Sequence, residues 1–427
     1  MLVSSRTLAI IGSFAFFPAA IFVACDSDTA APGPTIDGGT LTPGDGSPGF
    51  EDDGAVGDAT NVLPGTIVQI TAGHHHACAR YASGALKCWG SNAFGMLGTG
   101  ASTDESVRHR PATVVGINDA TYVAAGPIQT CAVRAAGNVY CWGSNNIGAS
   151  GGTILLTPTP IVTDADAGTL FAGAAEVRNA HDSWGCIRRT TGTVACWAGQ
   201  NLQGRLGDGT TKERSYPSID VAGLTDAVEI AKGEVHACAR KATGQVVCWG
   251  LNNRGQVGNG AFGAAALAPE TVIGVTDAIA LGESQAATCL IRTNKTVACW
   301  GINHGGQLGT GKKDDDQSSP ATVAGINDAK QLSGGGSHFC ALRESGGVVC
   351  WGSNAYGQLG DGTEDVTTNL PTNVAGLTDA VEIASGWLFT CARRSTGAVV
   401  CWGANDKGQH GSGNVDHHFT PFEVPDL

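Results

Sequence analysis

The chain has 427 residues, a formal net charge of −13 and only 15% charged side chains, with 63 glycines and 15 cysteines. A chain of this length ordinarily divides into two or three domains unless it is built from repeats. Its acidic balance gives no basic footprint for nucleic acid, and its cysteine content argues against a reducing compartment.

In chain order, Arg6 precedes an apolar run, "LAIIGSFAFFPAAIFVA" at 8–24, that ends at Cys25. The run is short for a membrane span and is interrupted by Pro18, so residues 1–24 read as an export signal. "FVAC" at 22–25 resembles the bacterial lipobox, with Phe22 in place of the usual Leu. On this reading Cys25 is the lipidated mature N-terminus, and the protein is exported and anchored at a bacterial cell envelope, touching the membrane only through its lipid. Residues 26–65 carry eight acidic side chains and no Lys or Arg among Gly, Pro, Thr and Ala. Such a segment buries too little apolar surface to offset its ordering entropy, so 25–65 is expected to be a disordered tether. About 40 such residues span roughly 35 Å root-mean-square.

From residue 66 onward the sequence repeats. Cysteines pair at a constant ten-residue interval: Cys78/Cys88, Cys131/Cys141, Cys186/Cys196, Cys238/Cys248, Cys289/Cys299, Cys340/Cys350 and Cys391/Cys401. Each second cysteine is followed by tryptophan, namely Trp89, Trp142, Trp197, Trp249, Trp300, Trp351 and Trp402. Successive second cysteines lie 51 to 55 residues apart, a period of stacked or radial modules. In the cleanest copy, "PTNV" (371–374), "AVEIAS" (380–385), "FTCARR" (389–394) and "AVVCW" (398–402) read as the first to fourth strands of one unit. Four antiparallel strands in about 50 residues, seven times over, predict an all-β, seven-bladed propeller over 66–427.

The turn between the paired cysteines, "ASG" at 82–84 in the first copy, sets them opposite each other in a hairpin. Opposed antiparallel residues lie within the reach of a disulfide, and seven intrablade bridges are expected, each worth roughly 2–3 kcal/mol in the chain-entropy model. Zinc knuckles are disfavoured because cysteines two to four residues apart are lacking. The tryptophan, one residue further on, points to the opposite face, so sulfur faces one neighbouring blade and indole the other. Glycine-rich segments follow, such as "GSNAFGMLGTG" at 90–100 and "GSNAYGQLGDG" at 352–362. They recur throughout without a phosphate-loop lysine and read as structural turns.

The pattern G-x-x-H-x-C-A…G-x-V-x-C-W-G-x-N-x-x-G-Q-L-G resembles the regulator-of-chromosome-condensation repeat family across residues 66–427. The second copy departs from it with "NNIGASGG" at 145–152, and the third with Cys-Trp-Ala at 196–198 and about six extra residues between Pro160 and Cys186. The resemblance implies a seven-bladed disc. Family members include a nucleotide-exchange factor for a small GTPase, a secreted inhibitor of β-lactamases and protein-binding modules, so it implies a surface whose loops grip another protein. The variable loops include "ASTDESVRHR" (101–110), "TKERSY" (211–216) and "KKDDDQSS" (312–319). The expectation is a monomeric, envelope-anchored protein-binding propeller with an unidentified partner, a structural spacer being the alternative.

An enzymatic role is the rival. His76, His236 and His338 each precede a cysteine by two positions and would form a metal triad if that position lined the axis. A blade-packing role is the competing reading, and His181, Asp182 and Ser183 are too close in sequence to make a nucleophilic triad. No enzymatic activity, catalytic residue, cofactor or metal is expected. Finally, "TIVQITAG" (66–73) matches a second strand and "TPFEVPDL" (420–427) a first strand. This predicts that Pro421–Val424 pairs antiparallel with Ile67–Thr71 to close the ring. That pairing would bring Asp416, His417 and His418 beside His74 and His75, where a metal site is weighed against a hydrated loop cluster.

Overall fold

The computed structural model describes residues 65–101, 107–145, 153–164, 169–179, 184–198, 200–212, 214–364 and 366–427. Cys25, the signal and tether expectations and the His181–Asp182–Ser183 stretch lie outside the described residues.

Seven four-stranded antiparallel sheets follow one another along the described chain, each built from strands consecutive in sequence. Blade 1 comprises an innermost strand Ile67–Ala72, a second strand His76–Tyr81, a third strand Ala85–Ser91 and an outer strand Val107–Asn118. Blade 7 repeats this with Ala380–Ser385, Phe389–Arg394, Val399–Gly403 and His418–Glu423. The second and third strands are buried on both sides, as expected where sheets pack on both faces, whereas the outer strands are half-buried or exposed. The extra residues of the third copy form a small two-stranded sheet, Val162–Asp164 with Thr169–Leu170.

In every blade the cysteine on the second strand stands directly opposite the cysteine on the third. The register pairs are Cys78↔Cys88, Cys131↔Cys141, Cys186↔Cys196 and Cys238↔Cys248 in blades 1 to 4. Blades 5 to 7 continue with Cys289↔Cys299, Cys340↔Cys350 and Cys391↔Cys401. All seven pairs have Cα atoms 4.0–4.1 Å apart and sulfurs at 2.00–2.10 Å.

Their sulfurs face the following blade and pack with its tryptophan. Cys78 and Cys88 cluster with Trp142, and Cys131 and Cys141 with Trp197. Cys186 and Cys196, with Cys238 and Cys248, lie in one larger cluster that holds Trp249 and Trp300. Cys289 and Cys299 cluster with Trp351, and Cys340 and Cys350 with Trp402. The same relation crosses the ends of the chain, where Cys391 and Cys401 cluster with Trp89.

Each indole points back to the preceding blade. Trp142 Nε1 donates to the Met96 carbonyl at 2.8 Å, Trp300 to Gln256 at 2.8 Å and Trp351 to Gln307 at 2.8 Å. The glycine-rich turn must therefore approach an indole closely. A Cβ on Gly309, whose φ is +64°, would lie 2.8 Å from Trp351 Nε1, so neither the backbone angle nor the space admits a side chain. Asn303 braces the same turn by accepting from Leu308 N–H at 3.1 Å.

Ring closure differs from the sequence expectation. The C-terminal strand pairs with the third strand of its own blade (Val400↔Glu423, Cys401↔Phe422), and Ile67–Ala72 pairs with His76–Tyr81 alone among the described strands. The strand that the sequence reading placed first in each unit is the outer strand of the preceding blade. A hairpin return across the glycine-rich turn keeps it in its own sheet, and the following "AGLTDA"-type segment crosses to the next blade. The ends meet by packing. Val424 is buried with Ile67, Ile70 and Trp89, Trp89 Nε1 donates to the Gln409 carbonyl at 2.8 Å, and Arg110 pairs with Asp426.

Candidate functional site

The strand order places two kinds of connection at opposite ends of the disc. Turns between second and third strands and the blade-to-blade crossings lie on one face, here the turn face. Links between innermost and second strands, and between third and outer strands, lie on the other, here the loop face.

The turn face is repetitive. In five of the seven blades an aspartate entering the innermost strand pairs with a base closing the second: Arg134–Asp119, Lys241–Asp226, Arg292–Asp277, Arg343–Asp328 and Arg394–Asp379. The residue after that aspartate donates its N–H to the preceding blade's turn, as Ala120 does to Gly84, Ala278 to Gly244 and Ala380 to Gly346. These contacts satisfy the crossing backbone and lace adjacent blades together.

The inner wall carries a second inter-blade device. Glu382 accepts from Ile70 N–H at 3.1 Å while Arg393 Nε donates to its other oxygen at 2.9 Å. Glu229 does the same with Leu281 N–H and Arg240, and Gln331 meets both the N–H and the carbonyl of Ile383. Burial raises Glu229 and Glu382 above the usual carboxylate range, although their hydrogen bonds pull the other way. The equivalent position in blade 5 is Ala280, which has no side chain to clasp blade 6. These clasps surround an axial cavity of about 550 Å³, lined among others by Gln69, Tyr122, Arg178, Lys232 and Glu283. Burial pushes the Glu283 carboxyl up to about 8. At the loop-face mouth His74 Nε2 lies 3.4 Å from Glu234 Oε1 across the opening, Gln285 donates to Glu234 at 2.8 Å, and the Trp387 ring lies 4.3 Å from that of His74.

His76, His236 and His338 do not converge on the axis. Each is fully buried and meets the threonine of the next blade: His76 Nε2 with Thr130 at 2.7 Å, His236 with Thr288 at 2.7 Å and His338 with Thr390 at 2.8 Å. Burial lowers all three pKa values to about 3, and His75 and His74 add to the effect at His76. They are seam residues, as the blade-packing reading held, with a side-chain partner in place of a backbone one. The equivalent Gln129 bonds the Ser144 carbonyl, and Trp184 lies under Lys232 with Nζ 3.5 Å from its ring centroid.

The cluster foreseen from the closing pairing does not form either. His74 engages Glu234 and Trp387, His417 stacks on Tyr356 with ring centroids 5.8 Å apart, and His418 stacks on Phe422 at 4.0 Å. With the C-terminal strand on the outer edge of blade 7, nothing carries these residues to the mouth.

The loop face is uneven where the turn face repeats. Phe94 and Tyr356 occupy the position just before the glycine that follows the bracing asparagine and are exposed, where blades 3, 4, 5 and 7 have Gln203, Arg254, Gly305 and Lys407. Leu202, one position earlier in blade 3, is also exposed. Phe262, Val366 and Val415, in links to the outer strands, are 54%, 59% and 45% exposed. Charged links lie between them. Arg254 reaches Asp316 of the neighbouring blade at 3.2 Å, and Lys312 and Asp315 stand in "KKDDD". The variable segments at 101–110 and 211–216 fall largely outside the residues whose side chains are described, whereas 312–319 is described throughout.

Architecture and seams together define a seven-bladed β-propeller with one regular and one variable face. The chain belongs to the RCC1-like family: residues 117–427 match the RCC1-like domain and 67–95 the regulator of chromosome condensation (RCC1) repeat. It is 27% identical over 376 residues to the ultraviolet-B receptor UVR8 of Arabidopsis thaliana, covering 85% of this chain and 82% of that protein. It is 28% identical over 348 residues to the human E3 ubiquitin-protein ligase HERC2, covering 79% of this chain but 7% of that protein. Among solved structures, Prp20p of Saccharomyces cerevisiae superposes with a TM-score of 0.68 at 18% identity, over 84% of this chain and 88% of that one, a likeness of fold.

Proposed function

We propose that this propeller is an envelope-anchored protein-binding module whose loop face receives a protein partner. The observation that carries the reading is the asymmetry of the disc: ion pairs and backbone laces repeat on the turn face, while the loop face differs from blade to blade and exposes Phe94, Leu202, Phe262, Tyr356 and Val366. Loops held at one end of a rigid scaffold are where recognition concentrates, and exposed aromatic residues with alternating charges suit a protein surface. Prp20p, of similar fold, has been characterised for its binding to Gsp1p and histones, and a protein partner is the part of that behaviour proposed here. Binding is favoured over catalysis because the histidines that suggested a metal triad are used in blade seams.

Anchoring rests on the sequence. An apolar run ending at Cys25, then an acidic tether, supports a location outside the cytoplasm, where the seven cysteine pairs would oxidise. Two measurements test this reading. Exchanging the links at 93–94, 202–203, 261–262 and 355–356 for those of blade 7 should abolish partner capture from envelope extracts without changing the melting temperature; unchanged capture favours a spacer. Fatty-acid labelling should mark the wild type and not Cys25→Ser, and equal membrane retention of both would remove the anchor.

A further inference from the structure

Blade 7 breaks the turn motif at one buried position. Where the other described turns place Leu97, Leu206, Val257, Leu308 and Leu359, blade 7 has His410, also fully buried. An imidazole in an aliphatic slot has two polar nitrogens to satisfy, and neither of them makes a hydrogen bond. Only the Trp402 backbone is near enough to favour a protonated ring, and it meets neither nitrogen with hydrogen-bond geometry. Beside it stands His418, whose buried Nε2 is also without a partner. The two ring centroids are 5.4 Å apart, and Phe422 stacks on His418 at 4.0 Å and 10°, fixing its plane.

That spacing suits one metal ion between two imidazoles. A ring nitrogen lies about 1.1 Å from its centroid and a Zn–N bond is about 2.0–2.1 Å, so two rings on a tetrahedral ion have centroids about 5 Å apart. Among the described residues no three His, Cys, Asp or Glu side chains already surround one point. The pair is thus half of a coordination sphere, and the exposed Asp416, near enough to act on His418 electrostatically, and water would supply the rest.

We infer that His410 and His418 form a binding site for a divalent transition-metal ion of the zinc and copper class, at the loop-face end of blade 7. The site is separate from the axial cavity; it shares His418 with the His74, His75, His417, His418 grouping weighed from sequence but replaces the other three histidines with His410. It does not depend on the identity of a protein partner. Imidazole ligation suits these ions, and an ion shared by the turn and the outer strand would tie together the last two segments of the blade that closes the ring.

The test is zinc titration of the full chain, purified without a polyhistidine tag, by calorimetry and elemental analysis after dialysis. The wild type should retain one equivalent of Zn²⁺ and melt at a higher temperature with it. His410→Leu restores the residue used in other blades and should fold with an apo melting temperature at or above that of the wild type, losing about tenfold or more in affinity together with the zinc-induced shift. His418→Gln provides a second variant that leaves the core position intact and should lose affinity likewise. Failure of the wild type to retain zinc, or retention unchanged in His410→Leu or His418→Gln, would overturn the assignment.

Discussion

The two faces of the disc are made from the same repeat, yet they diverge. On the turn face Asp119, Asp226, Asp277, Asp328 and Asp379 each find a base fifteen residues onward, and the crossing backbone bonds the previous turn. On the loop face the equivalent positions read Phe94, Gln203, Arg254, Gly305, Tyr356 and Lys407. The difference follows from what each face must do mechanically. A crossing has to deliver the chain to the next innermost strand at one height and angle, so its residues are constrained. A link from third to outer strand returns within one sheet, and once the asparagine and glycines have fixed its first turn, the remainder is free to vary.

The largest effect expected from breaking this comparison is acid lability of the loop-face ends of the seams. His76, His236 and His338 have folded pKa values near 3 against about 6.5 when unfolded, so their contribution is complete above pH 6.5 and is lost as pH falls toward 3. By pH 5 the loss should be on the order of 1–2 kcal/mol per histidine. Glu283 has the opposite sign: raised to about 8, it favours the fold at low pH and loses that contribution as pH rises from about 4.5 through 8. With His410, also held at about 3, four histidines act against the raised carboxyls Glu229, Glu283 and Glu382 and predict a melting temperature that drops on acidification, less steeply in a His76→Gln, His236→Gln, His338→Gln variant. Comparable in size is Trp89→Ala, which removes a fully buried indole at the junction of the chain's two ends, where no crossing spans the blades. A loss of about 3–5 kcal/mol is expected in urea unfolding, while Phe262→Ala on the loop face should stay within about 0.5 kcal/mol.

Glu382→Ala should cost roughly 1–3 kcal/mol, because Ile70 N–H and Arg393 lose their partner. The converse change, Ala280→Gln between blades 5 and 6, tests whether a clasp can be added: a raised melting temperature supports the clasp, and a lowered one means the wall there is already full. Smallest is Asp328→Asn on the turn face, whose partly exposed pair with Arg343 at 2.8 Å should contribute no more than about 1 kcal/mol.

Much of this was legible in the chain. The ten-residue cysteine interval and the following tryptophan announced the hairpin, its opposed faces and the blade count, because all three depend on local spacing. Even in the irregular second and third copies, Cys141 and Cys196 keep their places opposite Cys131 and Cys186, since the departures fall in the links and leave the hairpin intact. The closing of the ring was misread for a physical reason. A cyclic repeat has no intrinsic starting point, so "TPFEV" at 420–424 fits the first edge of a unit as well as the last. What decides is the turn that Asn405 braces by accepting from His410 N–H at 2.8 Å, which returns the chain to its own sheet. The clasps were missed because one position uses Gln69, Glu176, Glu229, Gln331 and Glu382 alongside Tyr122 and Ala280, a mixture that forms no motif. The mouth contact between His74 and Glu234 joins blades 1 and 4, a distance that periodicity does not encode. His410 could have been found: it is the one described turn in which the aliphatic residue of the G-x-L-G pattern is replaced by a titratable one.

The central claim, that one face recognises a protein and the other holds the disc together, is tested most directly by site-specific photo-crosslinking in cells that express the full chain. A photoreactive residue would replace Phe262, Tyr356 or Val415 on the loop face, or Val115, Val228 or Ile273, exposed apolar residues at the turn-face end. The account predicts a discrete protein adduct from the loop-face positions and none from the turn-face set. Adducts from Val115, Val228 and Ile273 with silence at the loop-face positions would contradict it.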